Sequence, residues 1–125
     1  MSLNRIDLMG RLTADPQLRK TQSGVSVASF TLAVDRDYKG QDGQRETDFI
    51  PCVAWRGTAE FLDRNFVKGQ LAIVTGSLQI RSYTDKEGNK RTATEVMVDN
   101  VYFGGPKKEA QTIDAEDFDD GDIPF

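Results

Sequence analysis

Tyr38 lies between Arg36 and Lys39, Trp55 directly before Arg56, and Tyr83 between Arg81 and Lys86. A fourth ring, Phe49, precedes Trp55 by six residues, which puts both on one side of an extended strand. Flat rings stack on unpaired bases while Lys and Arg hold phosphates, so this interleaving suits a single-stranded nucleic acid. Stacking contributes about 1–3 kcal/mol per base and tolerates any base sequence. Any one of these rings, taken alone, is equally well an ordinary core or loop residue. The repetition of ring and cation favours a surface built for binding.

The end of the chain carries a second kind of chemistry. Asp119, Asp120, Gly121 and Asp122 precede Ile123, Pro124 and Phe125, so acidic residues lead into a compact apolar tip beside the terminal carboxylate. Repulsion and the scarcity of apolar residues keep such a segment from packing on its own domain. A partner pocket with a basic rim can hold the tip, which makes these residues a candidate recruitment site.

Other chemistries find little support. The chain has no histidine, and Cys52 is its single cysteine, set in the apolar run Phe49 to Trp55. A buried inert thiol is the expectation, with no imidazole to act as its base. No Gly-rich phosphate loop ending in Lys-Ser/Thr is present. The acids of the tail lack the spacing and flanking helices of a calcium-binding loop. No metal and no cofactor is expected.

The net charge of −4 hides an uneven distribution. Residues 1–104 hold 14 Lys and Arg against 13 Asp and Glu, whereas residues 105–125 hold Lys107 and Lys108 against seven acids. A near-neutral body can bind a polyanion if its cations gather on one face. The N-terminal residues lack the basic-then-apolar pattern of a secretion signal, and no apolar run approaches membrane-spanning length, so a cytoplasmic location without membrane contact is expected.

Alternation of apolar and polar residues predicts the elements that position the rings. A first strand runs over residues 5–12, with Ile6, Leu8 and Leu12 on one face and a bulge or sharp coil at Gly10. A turn at Asp15-Pro16 leads to a second strand over 25–34, with Ala28, Phe30, Leu32 and Val34 inward. Residues 35–46 read as a long, mobile hairpin loop before a third strand over 47–55. Phe61, Leu62 and Phe66 then recur at helical spacing, with Thr58 as N-cap and Gly69 beyond the end. A fourth strand over 71–84 contains Gly76, which suggests strong curvature, and a fifth spans 92–103 after the polar loop 85–90.

Five coiled strands with a helix between the third and fourth is the layout of the OB barrel. A six-stranded SH3-like or split barrel gives a similar string. In the third strand Ile50, Cys52 and Ala54 are small enough for a barrel interior, which leaves Phe49 and Trp55 outside. In the fourth, parity assigns Ala72, Val74, Leu78 and Ile80 inward and Gln79, Arg81 and Tyr83 outward. The expected fold is an all-β, five-stranded OB-fold barrel with one short helix, over residues 1–105. A disordered acidic tail is expected over 106–125.

These residues also carry a resemblance. Leu8-Met9-Gly10-Arg11-Leu12 with Asp15-Pro16, Phe30-Thr31-Leu32-Ala33-Val34, and Thr47 to Arg56 closely resemble the first three strands of bacterial single-stranded DNA-binding proteins, of host or phage origin. Val74 to Gln79 with Arg81-Ser82-Tyr83, Thr94-Glu95-Val96 and the tip from Asp120 to Phe125 resemble the rest of that family's pattern. The resemblance implies a homotetramer without enzymatic activity that protects single-stranded DNA during replication, recombination and repair. Tyr38, Phe49, Trp55 and Tyr83 would be its stacking positions, and the tip would recruit partner enzymes of those processes. Many relatives carry Trp at some of these ring positions, and a long Gly/Gln/Pro-rich linker where few residues separate Gly105 from Asp114 here. With Arg36, Arg56, Arg81 and Lys86 along the phosphate path, the reading is of a sequence-independent single-stranded DNA binder. Its rival is an OB module whose groove takes a peptide and whose tail only solubilises; a Cys-dependent or metal-dependent enzyme has only Cys52 and scattered acids behind it.

Overall fold

A computed structural model describes residues 2–105; the expectations for the acidic tail and its tip lie outside the described residues. The elements are β1 (Ile6–Leu12), β2 (Gln17–Lys20), β3 (Ser26–Lys39), β4 (Arg45–Trp55), α1 (Arg56–Asn65), β5 (Leu71–Thr84) and β6 (Lys90–Phe103). The strands follow the order β1-β5-β6-β4-β3-β2, and β1 also pairs with β3. That second pairing, at Arg11↔Ala33 and Leu12↔Leu32, closes β1, β5, β6, β4 and β3 into a five-stranded barrel. All neighbouring pairs are antiparallel except β4 and β6, which run parallel at Cys52↔Val96 and Val53↔Met97. This is the OB layout that the sequence predicts.

Alternation decides what the barrel encloses. Leu12, Ala28, Leu32, Cys52, Ala54, Ala72, Val74 and Val96 are buried inside, and Leu62 and Phe66 of the helix segment close one end. There Phe66 stacks on Phe103 at 4.9 Å, and Phe61 meets both rings edge-on. Two glycines let strands cross at close range. A side chain at Gly10 would meet the Ala33 carbonyl at 2.5 Å, and one at Gly76 would strike the Met97 carbonyl oxygen. The ladder is irregular at Thr75/Gly76, in keeping with the predicted curvature; at Gly10, where a bulge or sharp coil is expected, the ladder continues without a bulge as β1 crosses from β5 to β3.

Four further predicted details differ. The first is β2, four exposed residues that pair with the start of β3; beyond Pro16 they resume along the same β3 edge that β1 uses. A short strand with no buried side chain leaves no alternating signal, so Asp15-Pro16 looks like a simple turn. The second is the helix, which begins at Arg56 with Trp55 as its N-cap and no side-chain cap, so Thr58 lies inside it. Arg56 takes a left-handed φ of 58° and turns the chain from strand to helix with no connecting loop.

The third difference is the predicted loop 35–46. β3 continues to Lys39 and β4 begins at Arg45, leaving a turn over 40–44 closed by Gly40 N–H to the Gln44 carbonyl at 2.8 Å. This outer ribbon has no apolar core face, and polar pairs hold it instead. Arg36 donates to both Asp48 oxygens, at 3.0 and 3.1 Å, and to Glu46 at 2.7 Å, while Thr47 Oγ1 donates to Asp35 at 2.6 Å. The fourth is Leu78 and Ile80, predicted inward but exposed. Past Gly76 β5 loses its β1 partner, and beyond Leu78↔Val96 the β5/β6 ribbon leaves the barrel, so these side chains meet solvent.

The Arg36 guanidinium, through its hydrogen bond, holds the Asp48 carboxyl below its usual value of 3.8. Arg91 and the Asn89 backbone do the same for Asp85 at the turn of the other ribbon. A carboxyl whose folded pKa is depressed stabilises the fold above its unfolded pKa, and that contribution is lost as pH falls through the folded value. Acidification from pH 7 to below 3.8 should therefore lower the hydrogen-exchange protection of ribbon amides around 36–39 and 45–48 before that of barrel amides. Asp48→Asn should remove much of this pH response in the β3/β4 ribbon. A uniform loss across barrel and ribbon, unchanged in the variant, contradicts the account.

Candidate nucleic-acid interface

Partners across a β-ladder project to the same side of the sheet, so the register itself assembles the outer face. One row runs Arg19, Val27, Trp55 across β2, β3 and β4. The next runs Gln17, Ser29, Val53, Met97 and Ser77 through all five strands from β2 to β5. Phe49 shares this side with Ala33, and on β5 Gln79, Arg81 and Tyr83 share it with Glu95, Ala93 and Arg91 of β6. Trp55, Phe49, Arg81 and Tyr83 thus occupy one continuous surface. Phe49 is 65% and Trp55 42% exposed, against 1% for Cys52 on the opposite parity of the same strand.

Between these rings lies a shallow groove of about 250 Å³, lined in part by Ser29, Thr31, Pro51, Val53 and Glu95. Arg81 Nε donates to Glu95 Oε1 at 2.8 Å, and the guanidinium carbon stands 5.5 Å from the Tyr83 ring centroid. That distance lies within the range of cation–π attraction. The combination of exposed rings, a groove with hydroxyl groups and an arginine beside a tyrosine can stack bases and hold phosphates.

The remaining predicted residues are spread more widely. Tyr38 is exposed near the tip of the β3/β4 ribbon, within the register irregularity between Asp35 and Lys39, so the ladder does not tie it to the ring face. Arg36 points to the other side of that ribbon, because its partners Glu46 and Asp48 have the parity of Ile50 and Cys52. Its Nε, Nη1 and Nη2 are all engaged, and its pKa is raised, chiefly by the hydrogen bond to Asp48. Arg56 lines a small hollow with Ser26 and Glu60 at the start of α1. Lys86 sits in the exposed turn of the β5/β6 ribbon.

Sequence reasoning misses Arg91 of this face, held by Asp85 at 3.0 Å, and also Arg19. Arg19 sits in the same row as Trp55 and donates to Ser29 Oγ at 2.9 Å. The available signal is the cluster Thr21 to Gly24, a turn between Leu18-Arg19-Lys20 and the alternating run of β3, which marks a hairpin. Cys52 matches its expectation. Burial pushes its thiol up to about 12, well away from a reactive thiolate.

Residues 3–104 match the model of the Single-strand binding protein family. The chain is 48% identical to the "Single-stranded DNA-binding protein" of Caldanaerobacter subterraneus subsp. tengcongensis, over 94% of this chain and 83% of that protein. It is 52% identical to the protein of the same name from Halalkalibacterium halodurans, over 84% of this chain and 62% of that one. A Staphylococcus aureus protein, also so named, is 50% identical over 88% of this chain and 70% of its own length.

Proposed function

This chain belongs to the single-strand binding protein family, and from that premise we propose that it binds single-stranded DNA across the outer face of its sheet. It is a non-enzymatic single-stranded DNA-binding protein. Bases stack on Phe49, Trp55 and Tyr83, with Tyr38 extending the path along the β3/β4 ribbon. Arg19, Arg56, Arg81 and Lys86 contact the phosphates, and Arg36 contributes by bracing its ribbon. The observation that carries this reading is the exposure of Phe49 and Trp55 on the side that also bears Arg81 and Tyr83. Large rings left in water on a shared surface favour a planar ligand.

Self-association into a homotetramer has support on another side of the barrel. Among the described residues the β1 segment Ile6–Gly10 pairs with β5 on one edge only, and its exposed Met9 shares a row with Ile73 and the exposed Tyr102. An open strand edge beside an apolar row suits pairing with a second copy of the chain. In this reading residues 1–105 form the DNA-binding domain, and residues 106–125 recruit replication, recombination and repair enzymes through Asp119, Asp120, Asp122, Ile123, Pro124 and Phe125. The protein then acts in the cytoplasm, on DNA strands exposed in the nucleoid.

Titration with oligo-dT should quench the fluorescence of Trp55, the single tryptophan. The log of affinity should fall with log salt by about 0.7 per phosphate contacted. Trp55→Ala should cost about 1–3 kcal/mol of binding with little change in the thermal midpoint. Unquenched fluorescence, or a Trp55→Ala variant that unfolds yet binds normally once refolded, overturns the stacking role. Deleting residues 123–125 should abolish capture of partner enzymes while sparing DNA affinity; the reverse pattern refutes recruitment by the tip.

A further inference from the structure

Three arginines of the ribbons are ion-paired, Arg91 at the β5/β6 turn by Asp85, and Arg36 and Arg81 are paired differently from each other. Arg36 gives Nε, Nη1 and Nη2 to two carboxylates, so each of its nitrogens is engaged. Among the described residues Arg81 gives only Nε, to Glu95 Oε1 at 2.8 Å, and its two Nη groups are left open. The two partners also differ in exposure. The Glu95 side chain is 15% exposed and set into the groove wall, whereas Arg81 is 59% exposed and reaches over the Tyr83 ring.

A carboxylate on a surface that binds a polyanion is unfavourable by charge alone. Yet an arginine held at Nε presents Nη1 and Nη2 as a fork, the geometry that matches two oxygens of a phosphate. Arginine also loses much rotamer freedom when a ligand immobilises it, and a side chain already anchored loses less. We propose that Glu95 is a positioning residue for DNA binding: it holds Arg81 so that the open Nη fork takes a backbone phosphate beside a base stacked on Tyr83. The inference rests on the reading that the ring-bearing face binds single-stranded DNA.

The two effects of Glu95 have opposite signs, which makes the proposal testable. Oligo-dT affinity is measured by Trp55 fluorescence at one moderate salt concentration for the intact chain, Glu95→Leu, Glu95→Gln, Arg81→Ala and the double variant Arg81→Ala/Glu95→Leu, with thermal midpoints in parallel. Glu95→Leu keeps most of the side-chain volume and removes the acceptor, so binding should weaken by about two- to tenfold. Glu95→Gln keeps an acceptor and should recover part of the loss. In the Arg81→Ala background Glu95→Leu should have no further effect, since Glu95 acts through Arg81. Unchanged or tighter binding by Glu95→Leu overturns the proposal, as does an equal loss that persists without Arg81, because that marks a structural role. If Glu95→Leu does not fold, the same cycle run with Glu95→Gln decides: weakening that needs Arg81 supports the proposal, and tightening refutes it. An intact chain that oligo-dT leaves unquenched refutes the DNA reading itself, whereas an intact chain that binds alongside a tighter Glu95 variant refutes only the positioning role.

Discussion

A strand sends alternate side chains to opposite faces, and a five-stranded barrel has room inside for few large ones, here Phe30 among mostly small or branched residues. The rest of the structure depends on that constraint. β4 supplies Cys52 and Ala54 to the interior, and its parallel contact with β6 at Cys52↔Val96 and Val53↔Met97 helps close the wall. Phe49 and Trp55, on the other parity, are then outside. Leaving Phe49 in water forgoes stabilisation of about 1.5–3 kcal/mol that burial would bring. A binding surface accounts for that arrangement; a stability requirement does not.

Beyond the barrel the two ribbons have no core to rest on, and electrostatics takes over from burial. Arg36 is spent on holding the β3/β4 ribbon together, so its charge is matched by Asp48 and Glu46. Arg81 is held at one atom and keeps its remaining donors open beside Tyr83. Similar residues in similar ion pairs therefore do different work, and hydrogen-bond occupancy separates them better than proximity to a ring does. Such exposed pairs are individually weak. Their value lies in orientation.

The barrel strands, the helix between the third and fourth of them, and the outward side of Phe49, Trp55, Arg81 and Tyr83 were legible in the sequence because burial on one face imposes a period of two. Legibility ended where burial ended. Gln17 to Lys20 form a strand with no buried side chain, so only the turn at Thr21 to Gly24 marked the hairpin that puts Arg19 in the row of Trp55. The polar stretch from Asp35 to Glu46 looked like a loop because its cohesion comes from pairs across two strands, which a linear pattern does not display. Leu78 and Ile80 kept the inward parity of Ala72 and Val74 but lie past the point where β5 loses its β1 partner. Thr58 had the chemistry of a helix cap, yet the strand runs straight into the helix at Arg56, and the cap position falls on Trp55.

The most direct test of the central claim is ultraviolet crosslinking of the intact chain to oligo-dT, with the attached peptides mapped by mass spectrometry. Stacked thymines and rings are in contact over a wide area, so adducts should concentrate on the peptides bearing Phe49, Trp55 and Tyr83. Adducts confined to the side of the barrel that carries Met9, Ile73 and Tyr102, with Phe49 and Trp55 unmodified, would contradict the account.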